Sequence, residues 1–291
     1  MADILRILFN SMQTGSTYAL AALGIALIWK TSRTTNFAQG SIGTLNAYVA
    51  GILLVSWGWS IWLVAAASMV TAFFTGILID AFIIRPAARV SPISKQIITL
   101  GLIMVIVGLI PLLFGVDPYR LPSFIPGASV TVAGAALRYN TVFVVTISLA
   151  LMGGLFWFIQ KTRWGLAIRV TAINESTSRL MGVPTKTVTM ISWASAAMMG
   201  TLAALIVAPQ ASVNPNMLLD VQVSAFFAGV LGGFSTFFGP VVGSFIIAFS
   251  RNFTAFYISD IWGNVIVYSL ILVFLYFKPY GLFGKKSEKK V

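Results

Sequence analysis

The chain has 291 residues, of which 58% are apolar and only 9% charged, with a net charge of +12. A soluble globular domain carries roughly 45–50% apolar and about 25% charged residues, so this composition excludes an ordinary water-facing surface, and it equally excludes a disordered chain. With no Cys and no His, disulfides, thiol chemistry, imidazole metal sites and every His-dependent triad are ruled out, and seven acidic residues leave little for a carboxylate-rich metal site. The class that remains is an all-α polytopic membrane protein.

A helix needs about 20 apolar residues to cross a hydrocarbon core of ~30 Å. Runs of that kind lie, in chain order, at 7–29, 40–57, 61–84, 97–115, 141–160, 188–208, 221–234, 239–257 and 261–277. They predict eight or nine membrane segments within a single membrane domain over 1–291. Residues 221–233 would cover only about 20 Å as a helix, so that segment is expected to be broken or re-entrant and sheltered by protein.

The nineteen Lys and Arg residues are divided unequally between alternate loops. One side holds Lys30, Arg33, Arg85, Arg89, Lys95, Lys161, Arg163, Arg169, Arg179, Lys186, Lys278, Lys285, Lys286, Lys289 and Lys290; the other holds Arg6, Arg120, Arg138 and Arg251. Positive loops face the cytoplasm, which predicts the N-terminus outside and the C-terminus inside. The basic balance is therefore a matter of membrane orientation, and no nucleic-acid partner is expected. The first segment has one Arg before it and its cations after it, unlike a cleaved signal peptide.

The first helix carries a polar stripe, Asn10, Thr14 and Thr17, followed by Ala21 and Gly24. The second begins Asn36-Phe37-Ala38-Gln39-Gly40-Ser41-Ile42-Gly43-Thr44, with Gly43, Ala47 and Gly51 four residues apart. Such spacing lets a neighbouring helix come close, and Asn36, Gln39, Ser41 and Thr44 are neutral groups able to hydrogen-bond a polar solute. Between Ala228 and Gly243 two further small-residue pairs, Gly229/Gly233 and Gly239/Gly243, flank a glycine and proline break that includes Gly232. Transporters place broken helices of this kind in corresponding halves. Each of these features serves helix packing equally well. Charges within the spans are few: Asp80 sits beside Arg85, Asp220 and Asp260 stand at outer helix starts, where they suit the dipole, and Arg251 is expected to anchor at the interface. No titratable relay for proton coupling is evident.

The longest inner connection, 161–187, contains a short amphipathic helix in which Leu166, Ile168, Ala172, Ile173, Leu180 and Met181 alternate with Arg169, Asn174, Glu175, Ser176 and Arg179, stopped by Gly182 and Pro184. Such a helix lies on a membrane surface or enters a partner's groove, and its pattern does not choose between the two.

The run from Gly165 through Arg169, Ala172 and Glu175 to Gly182-Val183 resembles the coupling region of bacterial branched-chain amino acid ABC importer permeases of the LivH type, whose pattern is close to G-R-A-x-R-A-x-A-x-[DE]-x-x-x-A-x-x-x-G-[IV]. Three more motifs agree: Asn10 to Gly24 with the opening N-G-L-x-x-G-S-x-Y-A-L-x-A-L-G, Asn36 to Gly40 with N-F-A-H-G, and Leu231 to Pro240 together with Phe277 to Gly284 with L-G-G-x-G-[ST]-x-x-G and F-[RK]-P-x-G-L-x-G. The resemblance runs in order from residue 10 to 284. It implies a type II ABC importer permease in the bacterial inner membrane, paired as a heterodimer with a second homologous permease and joined by two ATPase subunits and an extracytoplasmic solute-binding protein. It places Gly165, Arg169, Ala172, Glu175, Arg179 and Gly182 in the ATPase-coupling region. It implies no cofactor in this chain, which lacks a Gly-x-x-x-x-Gly-Lys-Ser/Thr loop, and ATP with Mg in the partner subunits. Asn10, Thr14, Thr17, Asn36, Gln39, Ser41, Thr44, Gly232 and Gly233 are the candidates for the solute path. Gln39 replaces the family's His, and Ser41 stands where Glu is common. A branched-chain amino acid is the first expectation for the solute, although urea, short amides and small organic acids travel through related systems. A stand-alone carrier or channel, the alternative, would need ion-coupling groups or a ring of pore charges.

Overall fold

A computed structural model describes residues 2–127 and 129–284, without the side chains of residues 88 and 89. The Lys285, Lys286, Lys289 and Lys290 cluster lies outside the described residues. Eleven α-helices are described: α1 Ala2–Ser32, α2 Gln39–Val55, α3 Ile61–Ile79, α4 Pro92–Phe114, α5 Tyr139–Lys161, α6 Arg163–Ile173, α7 Glu175–Leu180, α8 Thr185–Ala211, α9 Leu219–Gly232, α10 Phe238–Tyr257 and α11 Asp260–Phe277. Every apolar run read from the sequence is a helix within a few residues. By length and composition five segments suffice to cross a membrane: Ile61–Ile84, Pro92–Phe114, Tyr139–Lys161, Thr185–Ala211 and Asp260–Phe277. The helices α2 and α9 are shorter apolar ones.

The helix α1 is the rod around which the others gather. Residues 15–28 are all buried, as expected of a core helix apolar on every side. It packs chiefly on α10 and α8, then on α9 and α5. In turn α8 packs on α2 and α3. The outward faces of α3, α4 and α11 carry exposed Phe74, Leu78, Met104, Leu112, Leu270 and Val273, the surface expected where lipid replaces water. At the end of α3 the helix widens into one π turn over Asp80–Ile84, with the Arg85 N–H bonded to the Asp80 carbonyl at 2.7 Å.

Two helices start part-way along the bundle. After α1, residues 33–38 turn back into the protein, tied to α4 by the Phe37 N–H, which donates to Thr99 Oγ1 at 3.2 Å, and α2 begins there. After α8, residues 212–218 turn back from the opposite end, and α9 begins against the start of α2. The Gly40 N–H donates to Gln222 Oε1 at 2.6 Å, and Gln222 Nε2 donates to the Asn36 carbonyl at 3.3 Å. The broken element expected near 221–234 is thus the short helix α9, and its partner is the entry to α2. The α2 entry is packed in protein and the α9 entry opens onto a cavity, the two settings in which irregular backbone is tolerated within a membrane.

A two-stranded antiparallel hairpin, β1 Ser129–Val132 and β2 Ala135–Arg138, stands at the end where α4 stops and α5 starts. Its two-residue turn has Ala133 at φ 48° and Gly134 at φ 83°, the left-handed pair that matches strand twist. The alternation of residues 129–132 before Ala133-Gly134 is its signal in the sequence. At the opposite end of the bundle lie α6 and α7.

Candidate functional site

At the hairpin end a cavity of about 760 Å³ opens between α1, α8, α9 and α10. Its α1 wall is the polar stripe: Arg6, Asn10, Gln13, Thr14 and Thr17 face it, with Gln210 of α8 across from them. Apolar wall is supplied by Phe9, Ile206, Val207, Met217 and Val221. The helical spacing of Asn10, Thr14 and Thr17 sets one face of α1 toward the cavity while the rest of the helix packs on its neighbours.

A charged network forms the floor. Arg251 on α10 donates through Nη2 to Asp220 Oδ2 at 2.9 Å, through Nε to Asn264 Oδ1 at 2.6 Å and through Nη1 to the Tyr18 hydroxyl at 3.1 Å. Asn264 Nδ2 donates in turn to Asp220 Oδ1 at 3.1 Å. Arg251, expected as an interfacial anchor, is held within this network. At 1.5 Å per residue, Tyr18 stands roughly 24 Å from one end of α1 and roughly 21 Å from the other, and Arg251 roughly 20 Å along α10. On α10, however, Arg251 stands roughly 9 Å from the far end, and Asn264 stands roughly 6 Å from the start of α11, so the network reaches from the middle of α1 toward the hairpin end of the bundle. Asp220 occupies the first turn of α9, as its reading as a dipole-compensating acid requires; its partner came from a helix 31 residues on in sequence, and spacing could not show that. The signal that was available is an Arg inside an apolar run, which is costly in a membrane unless paired or wet.

The other path candidates are placed differently. Asn36, Gln39 and Thr44 are buried and do not line this cavity. Gln39 Nε2 donates to the Ala196 carbonyl at 2.6 Å and Asn36 Nδ2 to Gln39 Oε1 at 3.1 Å, so both amides join α2 to α8 and to its own entry segment. The Gln39 side chain fits because Gly24 of α1 and Gly200 of α8 leave room: a Cβ on Gly24 would stand 2.5 Å from Gln39 Nε2. Ser41 is partly exposed. Gly232 and Gly233 serve close approach: a Cβ on Gly232 would collide with the Gly239 carbonyl, and one on Gly233, at φ 89°, would stand 2.9 Å from the Tyr280 carbonyl. Gln222, not singled out from the sequence, joins the two helix starts.

At the opposite end the connection between α5 and α8 forms two helices rather than the single one expected. Asn174 breaks them, with φ −155° and ψ 107°, and caps α7 by accepting the Thr177 N–H at 3.2 Å; Thr162 caps α6 in the same way through the Gly165 N–H at 3.0 Å. The break reverses part of the expected orientation. Ile168 and Ser178 point inward, while Ile173, Leu180 and Met181 are 80%, 89% and 73% exposed. Arg169, Glu175, Arg179 and Gly182 are also exposed, and Arg179 pairs with Glu175 at 2.8 Å. Ala172 is half-buried and its carbonyl accepts from Arg33 Nη2 at 2.6 Å. Gly165 is buried because a Cβ there would strike the Phe158 and Ile159 carbonyls. A second cleft of about 690 Å³ lies beside α7, with the expected Asp80–Arg85 pair at 3.0 Å on its wall. Among the described residues no group of three or more acidic side chains is placed to hold a metal ion.

Comparison with known proteins agrees with this architecture. BraD of Pseudomonas aeruginosa, a high-affinity branched-chain amino acid transport system permease protein, is 26% identical over 98% of this chain and 97% of its own length. The corresponding LivH of Escherichia coli K12 is 27% identical over 98% and 96%, and the autoinducer 2 import system permease LsrC of another Escherichia coli strain is 26% identical over 87% and 73%. PsaBC from Streptococcus pneumoniae, solved in complex with a Fab, has the same fold, with a TM-score of 0.50, 11% identity and coverage of 91% and 90%. The family described as the permease component of the branched-chain amino acid transport system matches residues 7–275, and this multi-pass membrane protein belongs to it.

Proposed function

We infer that the chain is the translocation subunit of an ATP-driven importer that carries a branched-chain or other hydrophobic amino acid, or a related small solute, inward by alternating access. The observation that carries this reading is the 760 Å³ cavity at one end of the bundle, walled by the polar stripe of α1 and the Arg251 network, in a chain that matches permeases over nearly their full length. Transporters hold their solute beside discontinuous helices, and the short helix α9 starts at this cavity. The positive loops assign the hairpin end to the outside and α6–α7 to the cytoplasm of a bacterial inner membrane.

The partners follow from the two ends. A solute-binding protein delivers at the hairpin end. One of two ATPase subunits takes the exposed Ile173, Leu180 and Met181 with the surrounding Arg169, Glu175, Arg179 and Gly182, an apolar knob ringed by charge that suits a soluble groove. A second, homologous permease completes the path. ATP and Mg act in the ATPases, whose closure moves α6 and α7. Arg33 transmits this to α1, the helix that walls the cavity, through its bond to the Ala172 carbonyl.

The test is reconstitution of the chain with its neighbouring ATPases, second permease and binding protein in proteoliposomes. ATP-dependent leucine uptake is expected, with Glu175→Lys and Gly182→Trp uncoupling hydrolysis from uptake. Recovery of the chain alone from mild detergent, or coupling that survives both substitutions, would refute the reading.

A further inference from the structure

The Asp220–Arg251 pair is the one ion pair among the described residues with both members lining the hairpin-end cavity, and it faces water. Side-chain exposures of 54% for Asp220 and 30% for Arg251 open into the cavity. The N-terminal, positive end of α9 lies at the same floor. Above it, Ile206, Val207 and Val221 form an apolar wall.

We propose that this pair is the solute's headgroup site and that it selects a zwitterion. The proposal rests on the importer reading above. The solute's carboxylate takes the place of Asp220 on Arg251 Nη2, close to the α9 N-terminus, and the released Asp220 receives the solute's ammonium. Four charges of alternating sign then stand together with no net charge added to the floor. Once the solute covers the floor and the path closes over it, a carboxylic acid or an amine alone would leave one charge unmatched away from water, which is penalised. The apolar wall takes the branched side chain. Tyr18 and Asn264 are positioning residues: they hold the guanidinium through Nη1 and Nε and leave Nη2 as the edge for exchange.

The natural chain has no Cys, so Thr14→Cys places a single thiol in the cavity of the reconstituted importer. Its modification by a charged thiol reagent added outside is followed with leucine, isocaproate or isoamylamine present. Leucine alone is expected to slow labelling, and Asp220→Asn or Arg251→Gln in the same background is expected to remove that protection and cut leucine uptake at least tenfold. Exchanging the pair, Asp220→Arg with Arg251→Asp, restores the ion pair and is expected to restore assembly, read as the thermal midpoint, without restoring uptake. Uptake rescued by the exchange, or equal protection by isocaproate, overturns the proposal and assigns the pair to packing. So does unchanged uptake in both single variants. A wild-type complex that imports no amino acid would instead remove the importer reading on which the proposal stands; one that imports leucine without protection of Thr14→Cys removes only the zwitterion site.

Discussion

The starts of α2 and α9 touch each other half-way along the bundle, yet they have opposite characters. The α2 start is neutral and sealed: Asn36 and Gln39 are buried, and their amides are satisfied by Ala196, Gln39 and the backbone of Ala38. The α9 start is charged and wet, with Asp220 paired to Arg251 on the floor of a cavity. A neutral amide costs little to bury once each hydrogen bond is made, whereas an ion pair must recover a large desolvation penalty and is easier to keep beside water. One start is therefore built for stability and the other for exchange with a solute. Gln39 belongs to the first: it fills the space over Gly24 and Gly200 with a group that does not titrate.

That contrast can be broken experimentally. The largest effect is expected on the sealed side at Gly43, where a Cβ would collide with the Gly200 carbonyl. Gly43→Val should cost roughly 1–3 kcal/mol or more through overpacking, read as a sharp loss of folded, detergent-stable protein; normal yield and an unchanged thermal midpoint would contradict the packing described. Next is Gln39→Leu, which leaves the Asn36 Nδ2 donor without its partner and removes the second bond to the Ala196 carbonyl inside α8. A loss of about 1–3 kcal/mol is expected, measured as a lower midpoint at every pH tested, since no titratable group is involved. Asn174→Ala removes the cap of α7 and should cost about 1 kcal/mol locally; hydrogen exchange at residues 175–180 should accelerate while the global midpoint holds. On the wet side Asp220→Asn should cost stability least, about 0–1 kcal/mol for a half-exposed pair, while its effect on uptake is the greatest of the four. If Gln39→Leu and Asp220→Asn lower stability equally, the two helix starts are not as different as they stand here.

Much of the fold was legible in the sequence because membrane helices announce themselves one at a time. An apolar run such as 97–115 reads as a helix whatever surrounds it, and α4 at Pro92–Phe114 confirms it. The α1 stripe was legible for the same reason: Asn10, Thr14 and Thr17 share a face by helical geometry alone, and all three face the cavity. The break at Asn174 was less so. Its residues allow either one amphipathic helix or two, and what divides them is the Asx cap together with the collision that holds Gly165 against α5.

What the sequence by itself determined, then, is which segments are helical, which loops are basic and which residue types are absent. These follow from local period and from transfer of side chains between water and lipid, and they need no partner across the fold. Only the tertiary structure decided that Arg251 meets Asp220 and Tyr18, that Gln39 and Gln222 clamp two helix starts together, and that Gly232 lies against Gly239. Those pairings depend on where the chain turns back inside the bundle, at 33–38 and 212–218. There a few backbone angles bring together residues as far apart as Tyr18 and Arg251, a relation that no local pattern encodes.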